Sequence, residues 1–388
     1  MKPAGLARVE IAALGLVCAA FTTIYITQPI LPALEIEFGA STVQAAQSVS
    51  MVLLGIALAN LPFGYLADRV PVRRIILIGG GAIAIAGLLC ALTEVLWLLL
   101  SARFLQGAFI PALTTCLAAY LAKTLPSDRL NVVMGAYVAA TVFGGMLGRL
   151  LGGLVEPVAG WRVAFVAASV LVLVATVTAL RWLPDAPHTT TARHREVGYS
   201  SLLRRFDLGL MYLCGAAGQA VFSPVFNTLP YRLAEAPLGL SATATALVYL
   251  VYLVGVYSGP ASGRLSNRIG NGNTLIVGAL LLALSLALLL VPSVTAVIIA
   301  LLGVCTGFFA IHAAAVGALN RKLDAGQGRA NALYVLFYYI GAGCGVSWSA
   351  WVYQHAGWNT VIAVAMAITT VPLIAGLIER HRAMPRAG

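Results

Sequence analysis

The sequence predicts an all-α membrane protein of twelve transmembrane helices in two pseudo-symmetric six-helix bundles. Three observations predict it. Of 388 residues, 60% are hydrophobic and only 10% charged, whereas about 25% charge is usual in a soluble domain. Twelve stretches are mainly apolar over about 20 residues, the length that crosses a hydrocarbon core. Short motifs also recur at nearly one offset, 197–200 residues.

In chain order the predicted spans are 9–31, 43–67, 73–93, 95–122, 129–154, 161–183, 206–230, 242–265, 274–292, 294–319, 329–353 and 358–378. The first follows Lys2 and Arg8, as a signal peptide would. No small-residue cleavage pattern comes after it, so it reads as an uncleaved span. Backbone groups in lipid must pair within the chain, which makes helices the expected form of every span. Between the spans, one set of connections carries 20 of the 24 lysines and arginines. The positive-inside rule places that set, and both termini, on the cytoplasmic side; the expected location is a bacterial inner membrane.

Residues 184–205 are the longest polar stretch, with three threonines and Arg193-His194-Arg195. They read as a linker between an N-terminal bundle, 1–183, and a C-terminal bundle, 206–388. Internal repeats agree. Gly64 to Arg69 recurs as Gly263 to Arg268, Arg129-Leu130-Asn131 as Arg329-Ala330-Asn331, and Gly160-Trp161 as Gly357-Trp358. Gln106-Gly107 likewise faces Thr306-Gly307. The net charge of +11 would suit nucleic acid in a soluble protein. Here the bases sit in short loops, and no nucleic-acid partner is expected. The six cysteines lie within apolar runs without CxxC spacing, so no metal, cofactor or disulfide framework is expected.

Gly64-Tyr65-Leu66-Ala67-Asp68-Arg69-Val70-Pro71-Val72-Arg73-Arg74 resembles the loop between helices 2 and 3 of the major facilitator superfamily. Pro71 and Val72 stand where that family has Gly and Arg. Arg103-Phe104-Leu105-Gln106-Gly107 is similar to its helix 4 motif, and Gly144-Gly145-Met146-Leu147-Gly148-Arg149-Leu150-Leu151-Gly152-Gly153 to the helix 5 motif of its drug:proton antiporter branch. Arg149 replaces the proline of that last motif. The resemblance covers essentially the whole chain and implies two halves rocking about a central site. It implies gating roles for Gly64, Asp68, Arg69 and Arg73, and for Gly144, Gly148, Gly152 and Gly153. Gly64 is expected where helices come close, and the helix 5 glycines where helices 5 and 8 pack. Asp68 is expected to latch onto the start of helix 11. The bland alternative is a solvated loop.

A substrate site is expected near mid-membrane, from Tyr25, Gln28, Arg103, Phe109, Arg149, Gln219, Asn227, His312, Tyr334 and Tyr338. None of the 13 acids falls mid-span. Proton coupling is therefore assigned to Arg103, His312 and Asp207, His312 because an imidazole titrates near pH 6.5. An arginine inside a span needs a partner. Arg103 and Arg149 meet either loop acids such as Glu94 and Glu156, or an anionic substrate. No H-E-x-x-H, G-x-S-x-G or embedded acid pair points to an enzyme. The expected function is proton-coupled efflux of a small organic molecule, with anionic and zwitterionic compounds among the candidates, by a monomer in the lipid bilayer. Import of an organic anion and a non-transporting receptor are the alternatives.

Overall fold

The computed structural model describes residues 3–67, 69–125, 127–184, 198–323 and 325–383, with side chains except at 3–6, 127–132 and 383. Among these, eleven apolar helical segments are long enough to cross a membrane, and no strand is found. They are α1 (Ala7–Phe38), α2 (Thr42–Leu66), α3 (Val72–Leu92), α4 (Leu96–Thr124), α5 (Val133–Ala159), α6 (Trp161–Trp182), α7 (Phe206–Ala234), α8 (Ala242–Ile269), α9 (Asn271–Leu288), α10 (Val294–Arg321) and Gln327–Arg382. The last has 56 residues. Unbroken, it would run about 84 Å, far beyond a hydrocarbon core of about 30 Å. Gly357, at φ 71° and ψ −177°, breaks it into α11 (327–356) and α12 (358–382). The twelve predicted spans are recovered.

The chain divides into two compact units. One is Met1–Thr191 with Leu240–Leu250; the other is Ala192–Gly239 with Val251–Gly388. The first turns of α8 thus belong with the N-terminal helices, unlike the simple division expected from sequence. The change of unit falls in a 3₁₀ stretch, Tyr249–Leu253, inside α8. Most of the expected linker 184–205 lies outside the described residues.

Local chemistry starts the helices at matching places in the repeat. Ser41 and Gln44 form a capping box at α2: the Ser41 hydroxyl accepts from the Gln44 N–H, and Gln44 Oε1 accepts from the Ser41 N–H. Ser241, 200 residues on, caps α8 by accepting from the Ala244 N–H. Gly160 before α6 and Gly357 before α12 both have positive φ, 82° and 71°. Each is followed by a buried tryptophan, Trp161 and Trp358. The Trp161 indole donates to Glu37, which also accepts from Arg162. The Trp358 indole donates to the Leu289 carbonyl at the end of α9, at 3.0 Å. The first unit ties down the corresponding end of α3 through Arg162 Nη2, which donates to the Thr93 carbonyl at 3.1 Å.

A Cβ built on Gly357 would meet nothing within 4 Å. Gly357→Ala therefore tests the backbone alone. Its φ and ψ lie in a region that only glycine enters freely, so the substitution is expected to cost about 1–3 kcal/mol. The unfolding temperature of the protein in detergent is the measurement; an unchanged value would mean that the turn relaxes at no cost.

Candidate functional site

In the first unit, the site grows from a break in α1. The helix runs to Ile24, turns through Tyr25–Thr27, and resumes as a 3₁₀ turn, Gln28–Ile30, and a helix, Leu31–Phe38. Two prolines cause it. Pro29 and Pro32 lack the amide hydrogen, and their rings crowd the carbonyls four residues back, those of Tyr25 and Gln28. Carbonyls at the end of the first segment lose their helical donors.

Arg103 of α4 supplies them. Its guanidinium is fully buried. Nη1 donates to the Thr23 carbonyl at 2.7 Å and Nη2 to that of Ile24 at 2.6 Å. Nε donates to the Ser48 carbonyl of α2 at 2.9 Å, and Nη1 also to Gln106 Oε1 at 2.5 Å. Its charge is met by carbonyl dipoles, an answer that neither loop acids nor an anionic substrate anticipated.

Arg149 of α5 reaches the other side of the break. It is 1% exposed. Nε donates to Gln28 Oε1 and Nη1 to the Gly145 carbonyl, each at 2.8 Å. The guanidinium carbon lies 4.1 Å from the centre of the Tyr25 ring and 5.6 Å from that of Tyr249, in the part of α8 that belongs to this unit. Two arginines thus flank one helix break. Tyr25, Gln28 and Arg149 are in contact here. Phe109 does not join them; it packs edge-on against Phe63 of α2 at 6.0 Å.

The helix 5 glycines pack otherwise than expected. Gly144, Gly148 and Gly152 lie against the backbone of α1 at Cys18, Thr22 and Ile26. Their four-residue spacing forms one stripe, and it faces α1. Only Gly153, next around the helix, meets α8, at Ala246. A second stripe went unread in the sequence. Gly341 of α11 lies against Ala216 of α7, and Gly345 against Ala220. These pairs match Gly144 with Cys18 and Gly148 with Thr22 at offsets of 197 and 198. The repeat therefore extends to how helices pack within each unit.

Gly64 is a further correction. A Cβ there meets nothing within 4 Å, because the last turn of α2 is only partly buried. Arg69 lies over the Tyr65 ring at 3.9 Å, and Arg73 Nη2 donates to the Leu180 carbonyl at the end of α6, at 2.6 Å. Arg73 thus serves as a C-terminal helix cap. Asp68 lies outside the described residues.

In the second unit, His312 of α10 sits in an aromatic cluster. Its Nδ1 is 2.9 Å from the Tyr334 hydroxyl of α11. The Tyr338 ring is 5.3 Å away and the Phe308 ring 6.1 Å. Phe308 stacks on Phe222 of α7 at 4.1 Å. Gln219 and Asn227 are both buried on α7. Gln219 Oε1 accepts from Ser223 at 2.7 Å, while neither amide atom of Asn227 has a hydrogen-bond partner among the described residues. Asp207 is remote in kind: it pairs with Arg205 at 2.7 Å, and Arg205 also donates to the Lys322 carbonyl. Among the described residues, no cluster of three or more His, Cys, Asp or Glu forms a metal site.

Comparison with known proteins agrees with this architecture. The family model of the Major Facilitator Superfamily matches residues 13–322 and 208–387. The chain is 26% identical to the inner membrane transport protein YnfM of Escherichia coli K12, over 95% of this chain and 89% of that protein. It is 27% identical to the multidrug resistance protein MdtL of Klebsiella pneumoniae, over 90% and 89% respectively. The fold is similar to a crystal structure of a bacterial homologue of the human lysosomal transporter Spinster, inward-facing and unoccupied. That match has TM-score 0.80 and 15% identity, and covers all of both chains. The chain is a multi-pass membrane transporter that belongs to the major facilitator superfamily.

Proposed function

We propose that this transporter exports a small organic molecule across the inner membrane by alternating access, in exchange for protons. The observation that carries the reading is the His312–Tyr334 pair inside the aromatic cluster of α7, α10 and α11. Its rings offer faces on which a flat organic molecule stacks. The imidazole beside them carries a ring nitrogen that can take up and release a proton. Of the groups expected to move protons, Arg103 and Asp207 are already engaged, the first by four hydrogen bonds and the second by Arg205. His312 is the carrier in this reading. Tyr338, Gln219 and Asn227 contribute substrate contacts, as do Tyr25, Gln28 and Arg149 in the first unit. The likeness to MdtL, a multidrug resistance protein by name, supports export. So does the glycine stripe of α5, which resembles the antiporter motif. The basic connections support an orientation with both termini in the cytoplasm.

Proteoliposomes test the proposal. Under an imposed pH gradient, substrate-dependent proton movement is read with a trapped pH-sensitive dye, and substrate exchange separately with a labelled compound. His312→Gln is expected to lower the proton signal at least about tenfold, a floor set below the 10²–10⁴ that positioned acid–base groups commonly contribute. Exchange of substrate should persist. Wild-type proton movement in a folded His312→Gln protein would overturn the coupling assignment.

A further inference from the structure

The break in α1 leaves two buried polar atoms without a hydrogen-bond partner among the described residues. Gln28 is fully buried, and its Oε1 is held by Arg149 Nε at 2.8 Å. That bond fixes the amide, so Nε2 stands on the same carbon as an acceptor already engaged by a cation. Nε2 has no hydrogen-bond partner among the described residues. Thr27, the preceding residue, is also fully buried, and its Oγ1 is likewise without a partner. The rings of Tyr25 and Tyr249 hold the guanidinium at this place.

We infer that Gln28 Nε2, the Thr27 hydroxyl and the Arg149 guanidinium form a subsite for an anion, carried either as the carboxylate of the substrate or as a free halide. An amide N–H₂, a hydroxyl and a guanidinium all donate hydrogen bonds, and an anion only accepts them. A buried donor left unmade carries the full cost of its desolvation, which an accepting ligand removes. Charge sets the sign of that ligand, since bonds between ionised and neutral partners are the stronger ones. Irregular backbone at membrane depth is tolerated where it is buried in protein or lines a water-filled cavity, and discontinuous helices are where transporters hold ions and substrates. The inference deepens the substrate reading at Tyr25, Gln28 and Arg149 and rests on it. It needs neither the direction of transport nor its coupling.

The test is equilibrium stabilisation of the purified protein in detergent. Sodium chloride and sodium benzoate are titrated separately against wild type, Gln28→Glu and Thr27→Val, with the unfolding temperature as readout. Wild type is expected to show a saturable rise of about 2 °C or more with at least one salt, as linkage requires of a native-state ligand. Gln28→Glu places its own carboxylate beside Arg149, so at equal salt its response should fall to about a tenth or less by direct competition. Thr27→Val should bind several-fold more weakly. A chloride response alone identifies a free halide, and a benzoate response alone the carboxylate of an organic substrate. A flat wild type with both salts overturns the subsite, as does a Gln28→Glu protein that responds like wild type. If Gln28→Glu does not fold, Thr27→Val decides: titration curves that coincide with wild type overturn it. Counterflow on the same preparation separates the two proposals, because a flat titration with intact transport removes the subsite only.

Discussion

Gly148→Val is expected to prevent recovery of a monodisperse protein from detergent. A Cβ at Gly148 would lie 2.1 Å from the Thr22 carbonyl oxygen of α1, a backbone atom that moves only if the helix moves. In a packed core, overfilling typically costs about 1–3 kcal/mol, and displacing a helix backbone lies at or above the upper end of that range. The neighbours in the stripe, Gly144 and Gly152, leave no room for α5 to slide, since each meets another α1 carbonyl. Size-exclusion profile and unfolding temperature are the measurements. Gly64→Ala is the contrast within the same unit. There the added methyl meets open space, and the effect should stay within about 0.5 kcal/mol, as for ordinary surface substitutions. Equal stability of the two variants would show that the α1–α5 contact is looser than its geometry.

Arg103→Ala should be nearly as damaging, for the opposite reason. It leaves a void and strips donors from the carbonyls of Thr23, Ile24 and Ser48 and from Gln106. Each buried acceptor so orphaned costs about 1–3 kcal/mol. A total of about 3 kcal/mol or more corresponds to a fall of roughly 10 °C in unfolding temperature. Arg103→Lys should recover only part of this, because an ammonium is a compact point donor and not a planar fork. Full stability in Arg103→Ala would mean that the α1 break is held by other means. Loss of transport in this variant is expected to follow loss of structure, and measuring both on one preparation distinguishes the two.

Much of this architecture was legible because its causes are local in sequence. Hydropathy placed all twelve spans, and Gly160-Trp161 with Gly357-Trp358 marked equivalent turns that reappear as positive-φ glycines followed by buried indoles. Tyr25 and Gln28 stood out by helix position and Arg149 as a cation within a span, and the structure shows the three in contact. What sequence could not show were partners without a side-chain signature. The acceptors of Arg103 include three main-chain carbonyls, 55 to 80 residues away. Pro29 and Pro32 signalled the interruption of α1, yet 9–31 was read as one span because its apolar content continues through the turn. The glycines of α5 had the right spacing and the wrong neighbour. Spacing fixes which residues share a stripe, but only the paired helices show what that stripe faces. Gly341 and Gly345 were invisible for a related reason: small residues are common in apolar helices, and their meaning appears only opposite Ala216 and Ala220.

The buried arginines bear on how the chain is made. An arginine at the centre of a lone helix costs about 2.5–3.5 kcal/mol on insertion into lipid. Thr23, Ile24 and Ser48 all precede Arg103, and Gln28 precedes Arg149. A ribosome therefore releases the accepting segments before either cation emerges, so each charged helix enters a membrane where its partner already waits. A rearranged gene that began at α4 would reverse this order and deliver Arg103 ahead of its partners, with the folded structure unchanged on paper and its assembly compromised.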